Sequence, residues 1–136
     1  MKKKTLIQSL IFCLLFLVSC APVYSPYIYD QTAELKKQTL SILEKATEPY
    51  SKYETKVDIL KSDLASLAQQ EKMRKHNSVK VKQWTLLLDP QGNLLNGSME
   101  KWRKDTVMSE TFIVLQRNLV EEAFNLIQEV EKQRLK

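Results

Sequence analysis

Apolar residues recur at alternating steps of three and four over a long stretch of this chain. Leu43, Ala46, Tyr50, Tyr53, Val57, Leu60, Leu64 and Leu67 form the series, and Leu35 and Ile42 widen it near its start. Such spacing keeps every member on one side of a helix, as a heptad-like seam. Asp30 is the expected N-cap, with helix running to about Lys75. Pro49 falls inside the run. A proline there removes one helical hydrogen bond and crowds the preceding turn. Because the seam keeps its phase across Pro49, one kinked helix or two nearly collinear helices are expected.

A second long helix is expected at the C-terminal end. Ser109 can cap it, with Glu110 in its first turn, where negative charge is favoured. Phe112, Leu115, Leu119, Ala123, Leu126 and Val130 make one apolar stripe, and Ile113, Val120, Phe124 and Ile127 make another beside it. So wide an apolar face predicts the centre of a bundle. Glu121, Glu122, Glu129 and Glu131 are assigned to the far side, and the basic end from Lys132 to Lys136 is expected to fray. Only two glycines, Gly92 and Gly97, occur in 136 residues, and Leu, Lys, Glu and Gln are plentiful. Helix-former composition with so few turn residues argues against a sandwich and for an all-α fold, a small helical bundle of three to four main helices.

Between the long helices the pattern is weaker. Val81, Trp84, Leu87 and Leu88 have helical spacing, and Asp89-Pro90-Gln91-Gly92 is a turn with Pro at its second position. A hairpin around that turn is the rival reading, since Leu86-Leu88 and Leu94-Leu95 flank it. The helix formers Lys80, Lys82 and Gln83 favour a short helix, followed by another from Asn96-Gly97-Ser98 carrying Met99 and Trp102. The stretch from Glu71 to Lys82 is basic, with Lys72, Arg74, Lys75, Lys80 and Lys82. It reads as a solvated helix end and loop, ahead of a patch for anionic lipid or polysaccharide. Gln83-Trp84, Leu88-Asp89-Pro90, Asn93-Leu94-Leu95, Gly97 and Trp102 together resemble a family of small, uncharacterised helical bacterial proteins. That resemblance covers the middle third of the chain and implies no activity.

The N-terminal segment sets a different constraint. Lys2, Lys3 and Lys4 precede an apolar run from Leu10 to Val18. The run is shorter than the roughly 20 apolar residues that span a bilayer, so it has the form of a secretory signal. Its end, Leu17-Val18-Ser19-Cys20, resembles the lipobox of bacterial lipoproteins. The resemblance implies that Cys20 carries a thioether-linked diacylglyceryl group, that the chain is cut before it, and that the new amino group is acylated with a fatty acid such as palmitate. Membrane lipid is thus the first partner implied. In that family Asp after the cysteine favours the inner membrane, so Ala21 implies the outer membrane facing the periplasm, or the outer face of the cell membrane in a cell without an outer membrane. The organisation expected is residues 1–19 as signal peptide, 20–29 as lipidated cysteine and tether, and 30–136 as the helical domain. Pro22 and Pro26 disfavour helix in that tether. Its Tyr24, Tyr27 and Tyr29 suit the lipid headgroups, packing on the domain or simple exposure.

Loss of the signal removes three lysines and leaves 18 Lys and Arg against 16 Asp and Glu. That near-neutral balance, with secretion, argues against a nucleic-acid partner. Cys13 leaves with the signal and Cys20 is consumed by lipid, so no disulfide is expected. One histidine, His76, makes no metal set of the usual spacing and no nucleophilic triad. Glu121-Glu122 and Glu129-Glu131 face different ways on a helix and make no acid–base pair. No enzyme activity, cofactor or metal is therefore expected. The expected function is a non-enzymatic envelope lipoprotein whose bundle binds another envelope protein. The alternatives are an inhibitor or immunity-type lipoprotein blocking a toxin or cell-wall enzyme, which would need a protruding loop at 89–98, and a carrier of a lipid or other apolar ligand, which would need an internal void. Tyr50, Tyr53 and Trp102 are the candidate contact residues, since Tyr and Trp dominate binding hot spots.

Overall fold

A computed structural model of the chain describes residues 23–136; the signal segment, Cys20 and the rest of the lipobox lie outside them. Among the described residues there are five α-helices and no strand: α1 (Pro26–Leu43), α2 (Glu54–Met73), α3 (Ser78–Leu87), α4 (Leu95–Asp105) and α5 (Glu110–Lys132). They form a small all-helical bundle. Helix α5, with 23 residues, is about 35 Å long and packs against α1 on one flank and α3 and α4 on the other. Helix α2 packs on α1 and α3. The fourth wall of the bundle is shared, with α3 lying along the half of α5 around Phe124 and α4 along the half around Ile113.

Helix α1 begins five residues earlier than the Asp30 cap predicts. Ser25 is the N-cap, its hydroxyl accepting from the Ile28 N–H, and Pro26 occupies the first turn. Proline is well placed there because its missing N–H has no helical partner in any case. Residues 26–29 therefore belong to the domain rather than to a tether, and Ile28 is in the core. Tyr24 and Tyr29 pack ring to ring at 6.3 Å, while Tyr27 is exposed.

The expected continuity through Pro49 is also corrected. Helix α1 ends at Leu43, two 3-10 turns (Glu44–Thr47 and Tyr50–Lys52) follow, and α2 runs back antiparallel to α1. Glu48, the residue before the proline, is extended at φ −98° and ψ 161°. Clash with the proline ring disfavours helical geometry at that position, so the chain turns there. The seam keeps its phase only because both arms of this helical hairpin present their apolar side to the same core.

The 79–95 segment is helical to Leu87 and then turns, without a hairpin. Gly92 N–H donates to Asp89 O across the turn, and the Asn96 side chain donates to Leu88 O. A Cβ on Gly97 would stand 1.7 Å from the Gly92 carbonyl oxygen, so close approach of turn and helix requires glycine there. Core packing is anchored in the α3 half by Trp84 edge-on to Phe124, with ring centroids 6.0 Å apart. No helix among the described residues is long and apolar enough to cross a membrane.

Candidate functional site

Helix α5 carries two apolar faces, and only one is used by the core. Ile113, Val120, Phe124 and Ile127 are buried, together with Gln116, Gln128 and Glu131. The other stripe, expected in the bundle centre, turns outward. Leu115 is 55% exposed, Leu119 37% and Leu126 53%, with Phe112, Ala123 and Val130 half-buried along its inner edge. These six residues recur at steps of three and four, the spacing of a helix-pairing seam. A polar row, Asn118, Glu122, Asn125 and Glu129, follows one side of it, all four exposed.

Helix α3 carries further apolar side chains at the surface. Val81, Thr85 and Leu88 face α2, where they line a groove with Ala65 and Ala68. At about 100° per residue, Val79 and Leu86 fall on the opposite flank of α3. Both are exposed. An exposed apolar surface of several large side chains, rimmed by polar residues, is the form of a protein contact site.

The candidate contact residues Tyr50, Tyr53 and Trp102 are brought together at the bundle end where α1 turns into α2. Tyr50 meets Trp102 edge-on at 5.2 Å and Tyr53 lies against its other side at 5.8 Å. Tyr50 and Trp102 are buried, and the Trp102 indole N–H donates to Glu48 O at 2.9 Å. These two are therefore core residues, as the large apolar area of Trp and its one satisfied donor favour. Tyr53 is half-buried, and its hydroxyl donates to Glu48 at 2.8 Å. That bond, with Lys52, holds the Glu48 carboxyl below its ordinary range and the Tyr53 phenol above its own.

At the opposite end stands a buried charge network. Glu71, Lys80 and Glu131 are fully buried. The Lys80 ammonium donates to Glu71 at 2.5 Å and to Glu131 at 2.6 Å. Arg74 forks onto both Glu131 oxygens at 2.9 and 3.0 Å and also donates to Glu71. Arg134 donates to Glu131 at 3.1 Å and to the Asn77 side chain, so the C-terminal end is pinned rather than frayed. Asn77 in turn donates to the Glu71 carbonyl and carboxylate. Burial pushes the Glu131 carboxyl upward, but hydrogen bonds from Arg74, Lys80 and the Ser25 N–H outweigh it and lower it to about 2.

This network corrects two expectations. Arg74 and Lys80 are not part of a solvated basic run, and Glu131 is not on the far side of α5. It also fixes the start of the domain. The Ser25 N–H donates to Glu131 at 2.7 Å, and Arg74 donates to the Val23 carbonyl at 2.5 Å. Charges this well paired act as structure. Among the described residues no group of three or more His, Cys, Asp or Glu is disposed to hold a metal.

Sequence reasoning had named the outer-seam residues but put them inside. The available signal was the row Asn118, Glu122, Asn125 and Glu129, which adjoins the outward stripe. It was masked by Gln116, Gln128 and Glu131 on the inward face. No protein family, curated protein or solved structure matches this chain.

Proposed function

We propose that this protein is a non-enzymatic, lipid-anchored protein of the cell envelope whose bundle binds another envelope protein along the outer face of α5. The anchor rests on the lipobox resemblance of Leu17-Val18-Ser19-Cys20 and on the short apolar run before it. The binding role rests on one observation: the heptad-spaced, outward Leu115, Leu119 and Leu126. A partner that suits this face is an amphipathic helix. Its apolar side would cover the leucines, and basic residues on its flank would meet Glu122 and Glu129.

The two rival roles have less to stand on. The turn after α3 exposes Asp89, Pro90, Gln91 and Asn93, but it is short and closed on itself by the Gly92 N–H to Asp89 O bond, with Leu95 just beyond it in the core, so it offers little to plug an active site. The enclosed void lined by Leu43, Trp102, Met108 and Ile113 is about 10 Å³, room for one water at most and not for an acyl chain. The larger groove of about 400 Å³ between α1 and α2, past Ile42 and Ile59, is open to solvent rather than internal.

Photo-crosslinking in intact cells tests the reading. A benzophenone amino acid placed singly at Leu115, Leu119 or Leu126 should give one discrete adduct with an envelope protein. The same probe at exposed Ile59, on α2, should not. Absence of adducts from the seam, or equal adducts from Ile59, would overturn the docking role.

A further inference from the structure

The bundle end that holds the charge network has a second character on its outside. Arg74 and Lys80 turn inward, but Lys72, Lys75 and Lys82 remain exposed, and α5 adds Lys132 and, just beyond it, Lys136. Residues 23–31, 68–82 and 128–136, which build this end, hold eight Lys and Arg against four Asp and Glu. The rest of the described chain holds ten against twelve. Positive charge is thus gathered at one end of a nearly neutral domain. Large apolar side chains stand exposed among these cations: Val23 at 80%, Met73 at 70% and Leu135 at 65%, with Tyr27 and Val79. Each is within four residues of a member of the buried network. Cations for headgroups interleaved with apolar and aromatic side chains form a surface suited to the membrane interface.

The path of the chain selects this surface's occupant. Val23 and Ser25 are clamped to Arg74 and Glu131, so the polypeptide enters the bundle at this end. Cys20 lies three residues before Val23, and three residues reach at most about 10 Å. An acyl group on Cys20 would enter its bilayer beside this end.

We propose that this basic, apolar-studded end docks on anionic phospholipid headgroups. The inference rests on the lipid-anchor reading above. Docking sets the bundle upright on the membrane and leaves the α5 seam facing sideways, open to a partner. The buried network is what makes the orientation definite, because it ties the first residues after the anchor to the rigid core.

The test uses the purified lipidated protein in vesicles of phosphatidylcholine alone or with phosphatidylglycerol. Hydrogen exchange should slow at residues 72–79 and 132–136 only with the anionic lipid, and be unchanged at 45–53. Lys72→Gln, Lys75→Gln and Lys136→Gln, all at exposed positions, should lower the docking equilibrium about fivefold per lysine and abolish the slowing. Identical exchange in both vesicles would overturn the docking while leaving the anchor intact. Intact mass reports the anchor separately. A chain without acyl groups overturns the lipoprotein reading, and co-sedimentation then decides the docking. Pelleting with anionic vesicles alone supports it, and remaining in solution with both overturns it.

Discussion

The two ends of the bundle are closed by opposite chemistry. Where α1 begins and α5 ends, closure is ionic: Glu71, Lys80 and Glu131 are buried, with Arg74, Asn77 and Arg134 over them. Where α1 turns into α2, closure is aromatic and backbone-borne. Tyr50 and Tyr53 flank Trp102, the Tyr50 N–H donates to Thr106 O at 2.9 Å, and the Met108 N–H donates to Ala46 O at 2.8 Å. Aromatic contacts tolerate small shifts, whereas a buried ion pair holds only when every charge finds its partner. The ionic end is the one that must fix a position, since Val23 and Ser25 are held there. The aromatic end has only to stay shut.

The contrast can be broken at either end. Lys80→Ala should have one of the two largest effects, destabilising by about 3–5 kcal/mol in chemical denaturation, because it leaves Glu71 and Glu131 buried with too little positive charge. Replacing Trp102 with Ala should cost a similar ~3–5 kcal/mol through a cavity. Trp102→Phe should cost only about 1–3 kcal/mol, from the Glu48 carbonyl left without its donor.

Acid should separate the ends further. Glu131 titrates near 2 in the folded protein, below the ordinary carboxylate value of about 4.3, so the unfolded chain binds its proton first as pH falls. Its contribution is complete above about pH 5 and is lost as pH falls toward 2, by about 2–3 kcal/mol. Melting curves across that range should flatten in Glu131→Gln and keep their slope in Trp102→Phe. An unchanged slope in Glu131→Gln would remove Glu131 as the origin. At the junction of the two halves, Gly97→Ala should cost roughly 1–3 kcal/mol, because the turn at Gly92 must move to admit a methyl group. A Gly97→Ala melt that matched the parent would show that the turn yields freely.

Much of this was legible in the sequence, and the misses have physical causes. The class of fold followed from the seam and the scarcity of glycine. The Ser109 cap, with its hydroxyl accepting from the Phe112 N–H, and the burial of Phe124 followed from local pattern. Pro26 was read as a breaker when Ser25-Pro26 was a helix start, because proline's effect depends on which side of the first turn it falls. The reversal at Pro49 was hidden because a helical hairpin and a straight helix can bury the same periodic seam. The inner and outer stripes of α5 are equally apolar, and periodicity alone cannot say which has neighbours. The charge network joins residues 51 and 57 positions apart, beyond any local spacing rule.

The docking role of α5 is tested most directly by changing the seam without touching the core. Leu119→Glu with Leu126→Glu places two charges on the outward face, where each substitution should move stability by no more than about 0.5 kcal/mol. With a photo-crosslinker at Leu115, the double variant should melt close to the parent and lose the partner adduct. An adduct retained at the parent's yield in a folded double variant would contradict the account, since the partner would then be held without the leucine seam.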